Sequence, residues 1–222
     1  SGLGYDTNCG LLKSQPRRTL NSLEGLLTPG DTILVDAGTY WEADTFTIDL
    51  DGIFLVGRDS AATVIDFMDT NQTRSIYGET ASRLMFRDFA VVRGGCGVEW
   101  DNVDTSTILR VRADSCGWAG VALTSGSDSN ALVNCAAMFN AGANGGYGFA
   151  LVGAVSNLLA MDSAAYNLRA GFLLDTAHGN TLTGNISSDN TEPGFMLLNS
   201  DRNILRNNVS RANERGFALV NA

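Results

Sequence analysis

The sequence predicts an all-β fold: a single-stranded, right-handed parallel β-helix with rungs of about 23 residues and a short N-terminal capping helix. Two registers of repetition carry that expectation. In the first, segments 129–140, 156–167, 179–190 and 202–213 read SNALVNCAAMFN, SNLLAMDSAAYN, GNTLTGNISSDN and RNILRNNVSRAN. Each has asparagine at its second position (Asn130, Asn157, Asn180, Asn203) and at its last (Asn140, Asn167, Asn190, Asn213), with steps of 27, 23 and 23 residues. Segments starting at Arg83 and Thr107 continue the phase upstream without the asparagines. In the second register, Gly97, Gly120, Gly148, Gly171, Gly194 and Gly216 each open a short apolar strand. The next residue is Val98, Val121, Phe149, Phe172, Phe195 or Phe217, and two further on stand Trp100, Leu123, Leu151, Leu174, Leu197 and Leu219. Alternation within a strand, with identity one rung away, is the signature of stacked strands.

A lone rung cannot bury its apolar face. Stacking at roughly 4.8 Å turns each inward position into a file of like side chains. Phe149, Phe172, Phe195 and Phe217 should form one internal aromatic file, and the asparagines should form ladders at the bends. The high Gly and Asn content argues against helices through the repeat. One helix is predicted over residues 18–27, with Leu20, Leu23 and Leu27 on one face to plug the first rung. The domain plan is therefore a cap over residues 1–28 and a β-helix over 29–222.

Composition narrows the partners. The 222 residues include 25 Gly and only 3 Pro, and 44% are hydrophobic, so the chain has many turns and a real core. The net charge is −9 and Lys13 is the sole lysine, so the basic stripe that nucleic acid needs is lacking. No run of 18 apolar residues spans a membrane. An acidic polysaccharide would be repelled unless a cation such as Ca²⁺ bridged it. The same acidity also suits a solvated surface that keeps the chain soluble. Cys9, Cys96, Cys116 and Cys135 form no Cys-x-x-Cys pair, and with one histidine they make a poor zinc set. A bridge between Cys96 and Cys116 is conceivable, but buried free thiols fit better.

Against this frame, PGDTILVDAGTYWE (residues 29–42), DGIFLVGRDSAATVID (51–66) and the repeats from 83 onward resemble the pectate-lyase-like superfamily of right-handed parallel β-helices. The resemblance implies the fold and leaves the activity open, because that superfamily holds polyuronate lyases, epimerases, hydrolases, tailspikes, adhesins and noncatalytic proteins. Its lyases use a Lys or Arg base beside a uronate whose charge Ca²⁺ or Arg neutralises. Lys13 lies outside the rungs, which leaves Arg87, Arg110, Arg112 and Arg169 as arginine candidates. The hydrolase pattern of clustered aspartates with Gly-His-Gly is absent, Ala177-His178-Gly179 being a fragment of it.

Site candidates come from irregular corners, where insertions in solenoids collect. The four extra residues of the 27-residue step fall in residues 141–147, just before a strand-opening glycine. Trp118 and Tyr147 on successive corners could stack on sugar rings, with Arg169 and Glu192 binding hydroxyls or a carboxylate; they could equally pack under their own loops. Counting five residues past each rung start gives Asp88, Arg112, Cys135, Asp162, Asn185 and Asn208, and four further on Phe139, Tyr166 and Asp189. Tyr166, Asp162 and Asp189 could line a groove or share a cation such as Ca²⁺. Arg112, Asp162 and Arg169 are the catalytic candidates, and Asp162 and Asp189 the metal candidates. His178 has no evident partner in the sequence and reads as a surface-turn residue.

The outward positions of the glycine-opened strands turn apolar towards the C-terminus, at Leu173, Met196, Leu198 and Val220. Such a patch is expected to be covered, by another copy of the chain or by a further C-terminal segment. The first functional reading is a secreted, cell-surface or periplasmic protein that binds or processes polysaccharide, binding being favoured over catalysis. If it is an enzyme, it is a polysaccharide lyase or hydrolase. The second reading is a structural solenoid of adhesin or tailspike type, used for display and self-association.

Overall fold

The structure, a computed structural model, describes residues 4–68, 74–143 and 145–221. Among these, three eight-stranded sheets run the length of a right-handed solenoid, and each strand pairs in parallel with its counterpart one turn away. Crossovers between parallel strands are right-handed because twisted strands pack back on themselves only that way. The inward files are those expected: Phe149 pairs with Phe172, Phe172 with Phe195, and Phe195 with Phe217. Their rings stack with centroids 4.9, 4.8 and 4.9 Å apart. Phe149, Phe172 and Phe195 are wholly buried in the main core, beside Phe46, Phe86, Phe89 and Trp100.

Asparagine ladders hold the bends. The Asn130 backbone N–H donates to Asn157 Oδ1 at 2.8 Å, Asn157 to Asn180 at 2.8 Å and Asn180 to Asn203 at 2.8 Å. The amide groups point back: Asn157 Nδ2 donates to Ser127 O and Asn180 Nδ2 to Ala154 O, both at 3.0 Å. Asn140, Asn167, Asn190 and Asn213 form a second ladder in the same manner. Each buried side chain thereby satisfies one backbone N–H and one backbone C=O on the preceding rung. The strand-opening glycines have a steric cause as well. A Cβ at Gly148 would lie 2.5 Å from Gly171 O and 2.7 Å from Ala164 Cβ, so no larger residue fits.

Upstream of Asn130 the phase differs from the expected one. Leu84 N–H donates to Ser106 Oγ, and Ser106 N–H to Asn130 Oδ1, so Leu84 and Ser106 stand in the ladder column instead of Arg83 and Thr107. Serine replaces asparagine there and left no repeat mark in the sequence. Arg112 consequently leaves the column of Cys135 and pairs in register with Ala90 and Ala136.

The N-terminal cap also departs from expectation. A single 3-10 turn, Asn21–Leu23, replaces the helix expected over 18–27. The buried Glu42 carboxylate accepts the backbone N–H groups of Leu20 at 2.6 Å and Asn21 at 3.3 Å, and Gly25 turns the chain away at φ +74°. The plugging role survives the change of conformation, since Leu20 is buried and Leu23 and Leu27 pack on the core. Burial raises the Glu42 carboxyl to about 7, partly offset by those two N–H donors.

Candidate functional site

The third sheet, containing strands Ile76–Glu79, Cys96–Asp101, Ala119–Thr124, Tyr147–Val152, Phe172–Asp175, Phe195–Leu198 and Phe217–Val220, carries a second apolar cluster on its outer face. Cys96, Ala119, Ala122, Ala150 and Leu173 form it, with Trp118, Tyr147, Met196 and Leu198 packed against it and only partly buried. The small side chains in register, Ala122 beside Ala150, leave a shallow floor. Trp118 and Tyr147 supply its aromatic wall from the corner. A Cβ at Gly145 would lie 2.5 Å from Trp118 Cδ1, so the enlarged turn closes tightly on one side of the indole.

Charged groups follow on the same corner. Arg169 N–H donates to Gly146 O, and Gly146 N–H to Trp118 O, which sets Trp118, Gly146 and Arg169 in one column. Arg169 Nη1 meets Glu192 Oε1 one rung on at 2.6 Å. Burial raises the Tyr147 phenol; the Glu192 and Asp175 carboxylates push it the same way, and Arg169 opposes them. Of the sequence-derived candidates, Trp118, Tyr147, Arg169 and Glu192 are therefore gathered on successive turns.

The N-terminal end of this face holds a cluster that sequence reasoning missed. Arg74 Nε lies 3.1 Å from Glu99 Oε1 and its guanidinium 4.1 Å above the Tyr77 ring, while Tyr77 Oη donates to Asp101 Oδ2 at 3.2 Å. Burial raises the Glu99 carboxyl, which Arg74 opposes, and raises the Tyr77 phenol to about 12. The signal existed in the alternation: Tyr77 and Glu79 pair with Glu99 and Asp101. It was hidden because Ser75, not a glycine, precedes Ile76, so this strand lacks the mark of the glycine-opened strands downstream.

The remaining candidates are dispersed. Tyr166 and Phe139 stack at 5.1 Å, each a little over half exposed (55% and 54%) and each in the left-handed region at φ 56° and 58°. Asp189 follows them at the same kind of corner with φ 56° and is exposed. Asp162 does not line a groove with them. It is 1% exposed and stands inside the wall as a ladder member, accepting from Cys135 N–H at 2.7 Å, while its own N–H donates to Asn185 at 2.8 Å. A carboxylate so enclosed cannot share a cation with Asp189. Among the described residues, no three His, Cys, Asp or Glu groups converge on a point that would hold a metal ion.

Arg112 faces Asp114 at 2.9 Å on the second sheet, away from the aromatic corner, and Arg87 and Arg110 both bind Asp88. The carboxylate partners of Arg110 and Arg169 raise their guanidinium pKa values, which weakens either as a base. His178 has a partner, Asp201, at 2.9 Å one rung on. Cys96, Cys116 and Cys135 are buried free thiols, raised by burial, so no Cys96–Cys116 bridge forms. Leu173 is covered by its own chain at 6% exposure, whereas Val220 is 48% exposed.

A family model described as "Right handed beta helix region" matches residues 96–222. The chain is similar in structure to pectate lyase Pel9A, with TM-score 0.70 and 18% identity over 97% of this chain and 76% of that one. It is similar to a rhamnogalacturonan lyase, with TM-score 0.77 and 17% identity over 96% and 68%. It also resembles the catalytic domain of a GH87 alpha-1,3-glucanase, with TM-score 0.64 and 15% identity over 81% and 40%. No curated protein matches the sequence. At such identities the structural likenesses speak for the fold, and the family match, over more than half of the sequence, shows that this chain belongs to the right-handed β-helix family.

Proposed function

We propose that the corner before the third sheet, with the adjoining outer face, binds polysaccharide in a protein that works outside the cytoplasm. The observation that carries this reading is the placement of Trp118, Tyr147 and the Arg169–Glu192 pair on successive turns beside a shallow floor of small residues. Partly exposed aromatic rings offer flat faces to sugar rings, and the paired charges offer donors and acceptors to hydroxyls. A solenoid repeats such contacts at rung spacing, which suits an extended polymer. Proteins of this fold include a pectate lyase, a rhamnogalacturonan lyase and an alpha-1,3-glucanase, which supports a glycan as the partner. Binding is favoured over turnover because the rung arginines Arg110 and Arg169 are held protonated by carboxylates.

The test is affinity electrophoresis through gels containing single polysaccharides. Retardation by at least one is expected, and Trp118→Ala and Tyr147→Ala should each weaken it about tenfold, or ~1.4 kcal/mol. Retardation unaffected by both substitutions would remove the corner from the reading. A second reading, display and self-association, draws on the apolar Met196, Leu198 and Val220 of the same sheet.

A further inference from the structure

We infer that the glycan taken at this corner and face is uncharged. The inference rests on the polysaccharide reading above and adds the class of polymer. Among the described residues, the third sheet from the strand Ile76–Glu79 onward, with its corner, carries three arginines, Arg74, Arg169 and Arg215, and six carboxylates, Glu79, Glu99, Asp101, Asp175, Glu192 and Glu214. Each of the three arginines already faces a carboxylate: Arg74 meets Glu99 at 3.1 Å and Asp101 at 3.8 Å, Arg169 meets Glu192 at 2.6 Å, and Arg215 meets Glu214 at 3.6 Å. The surface is therefore net negative, and its cations are committed.

A polyuronate would bring one carboxylate per sugar against that surface. It would have to displace Glu192 or Glu99 from its guanidinium and leave the displaced carboxylate unpaired beside its own. The sole lysine, Lys13, lies in the N-terminal segment and does not change this balance. A neutral polymer meets no such cost. Its hydroxyls can donate to the carboxylates and accept from the guanidinium edges left open, while its ring faces cover Trp118 and Tyr147.

The experiment compares retardation of the whole protein by neutral polymers (α- and β-glucans, mannan, xylan) and by polygalacturonate and alginate, at low and high salt, with and without calcium. Retardation by a neutral polymer that is insensitive to salt, with none by the two polyanions, is expected. Glu192→Gln should then create salt-sensitive retardation by polygalacturonate, because it releases Arg169. Retardation of the unaltered protein by polygalacturonate or alginate, with calcium or without, would overturn the uncharged class and leave polysaccharide binding standing. Retardation by none of the polymers would overturn both.

Discussion

At the residue scale, Asp162 is the most informative side chain of the wall. Its ladder neighbours Asn185 and Asn208 each donate an amide N–H to the previous rung, to Leu159 O at 3.0 Å and Leu182 O at 2.8 Å. The register places Leu132 as the equivalent carbonyl for Asp162, yet Asp162 Oδ2 is buried without a hydrogen-bond partner. A proton on Oδ2 would supply the missing donor. Burial pushes this carboxyl well above its ordinary 3.8, opposed by the Cys135 and Ala160 backbone groups; the titratable group facing it is the Cys135 thiol. A carboxyl raised in the folded state holds its proton there after the unfolded chain has lost its own, so the folded state loses stability as pH rises above 3.8. Asp162→Asn places a permanent donor at that position. It should raise stability at pH 8 by about 1–3 kcal/mol and do little below the unfolded value. Urea unfolding at both pH values checks this, and equal stability of the two proteins at pH 8 would refute it.

At the scale of elements, the cap illustrates how one buried acid can organise a terminus. Glu42 gathers the Leu20 and Asn21 N–H groups and holds the 3-10 turn over the first rung. Its carboxyl is raised from 4.5 to about 7, so its protonated form favours the folded state. Stability is expected to fall as pH climbs through that window, by about 2 to 3 kcal/mol. Glu42→Gln removes the charge and keeps one acceptor, for the Leu20 N–H, giving up the longer bond from Asn21. The thermal midpoint of the variant should depend less on pH between 5 and 7 than that of the unaltered protein; an unchanged dependence would show that Glu42 is not the group responsible.

At the scale of the whole molecule, the third sheet carries both functional readings. Its N-terminal half is polar around Arg74, Tyr77, Glu99 and Asp101, its middle is aromatic, and its C-terminal half is apolar at Met196, Leu198 and Val220. Self-association through the last part expects sedimentation that changes with protein concentration. Leu198→Asp should suppress that change, since a desolvated, unpaired charge would be costly in an apolar contact. Sedimentation that is constant over a wide concentration range would dismiss association and leave glycan binding untouched.

The repeat made the architecture legible in advance. Phe149, Phe172 and Phe195, and the asparagines around them, recur at rung spacing because a solenoid imposes the same environment on each turn. For the same reason the outward residues of the third sheet could be assigned before any coordinates, and with them the corner of Trp118, Tyr147, Arg169 and Glu192. The tertiary structure decided what periodicity does not encode. Serine can take an asparagine's place in a ladder, as Ser106 does, so the upstream phase was misplaced by one residue. An aspartate can also stand inside a ladder, as Asp162 does, because a side-chain oxygen accepts from backbone N–H whether it belongs to an amide or an acid. The Arg74–Tyr77–Glu99–Asp101 cluster depends on side chains meeting across adjacent rungs. Local sequence reports the rung, and only stacking reports which charges meet.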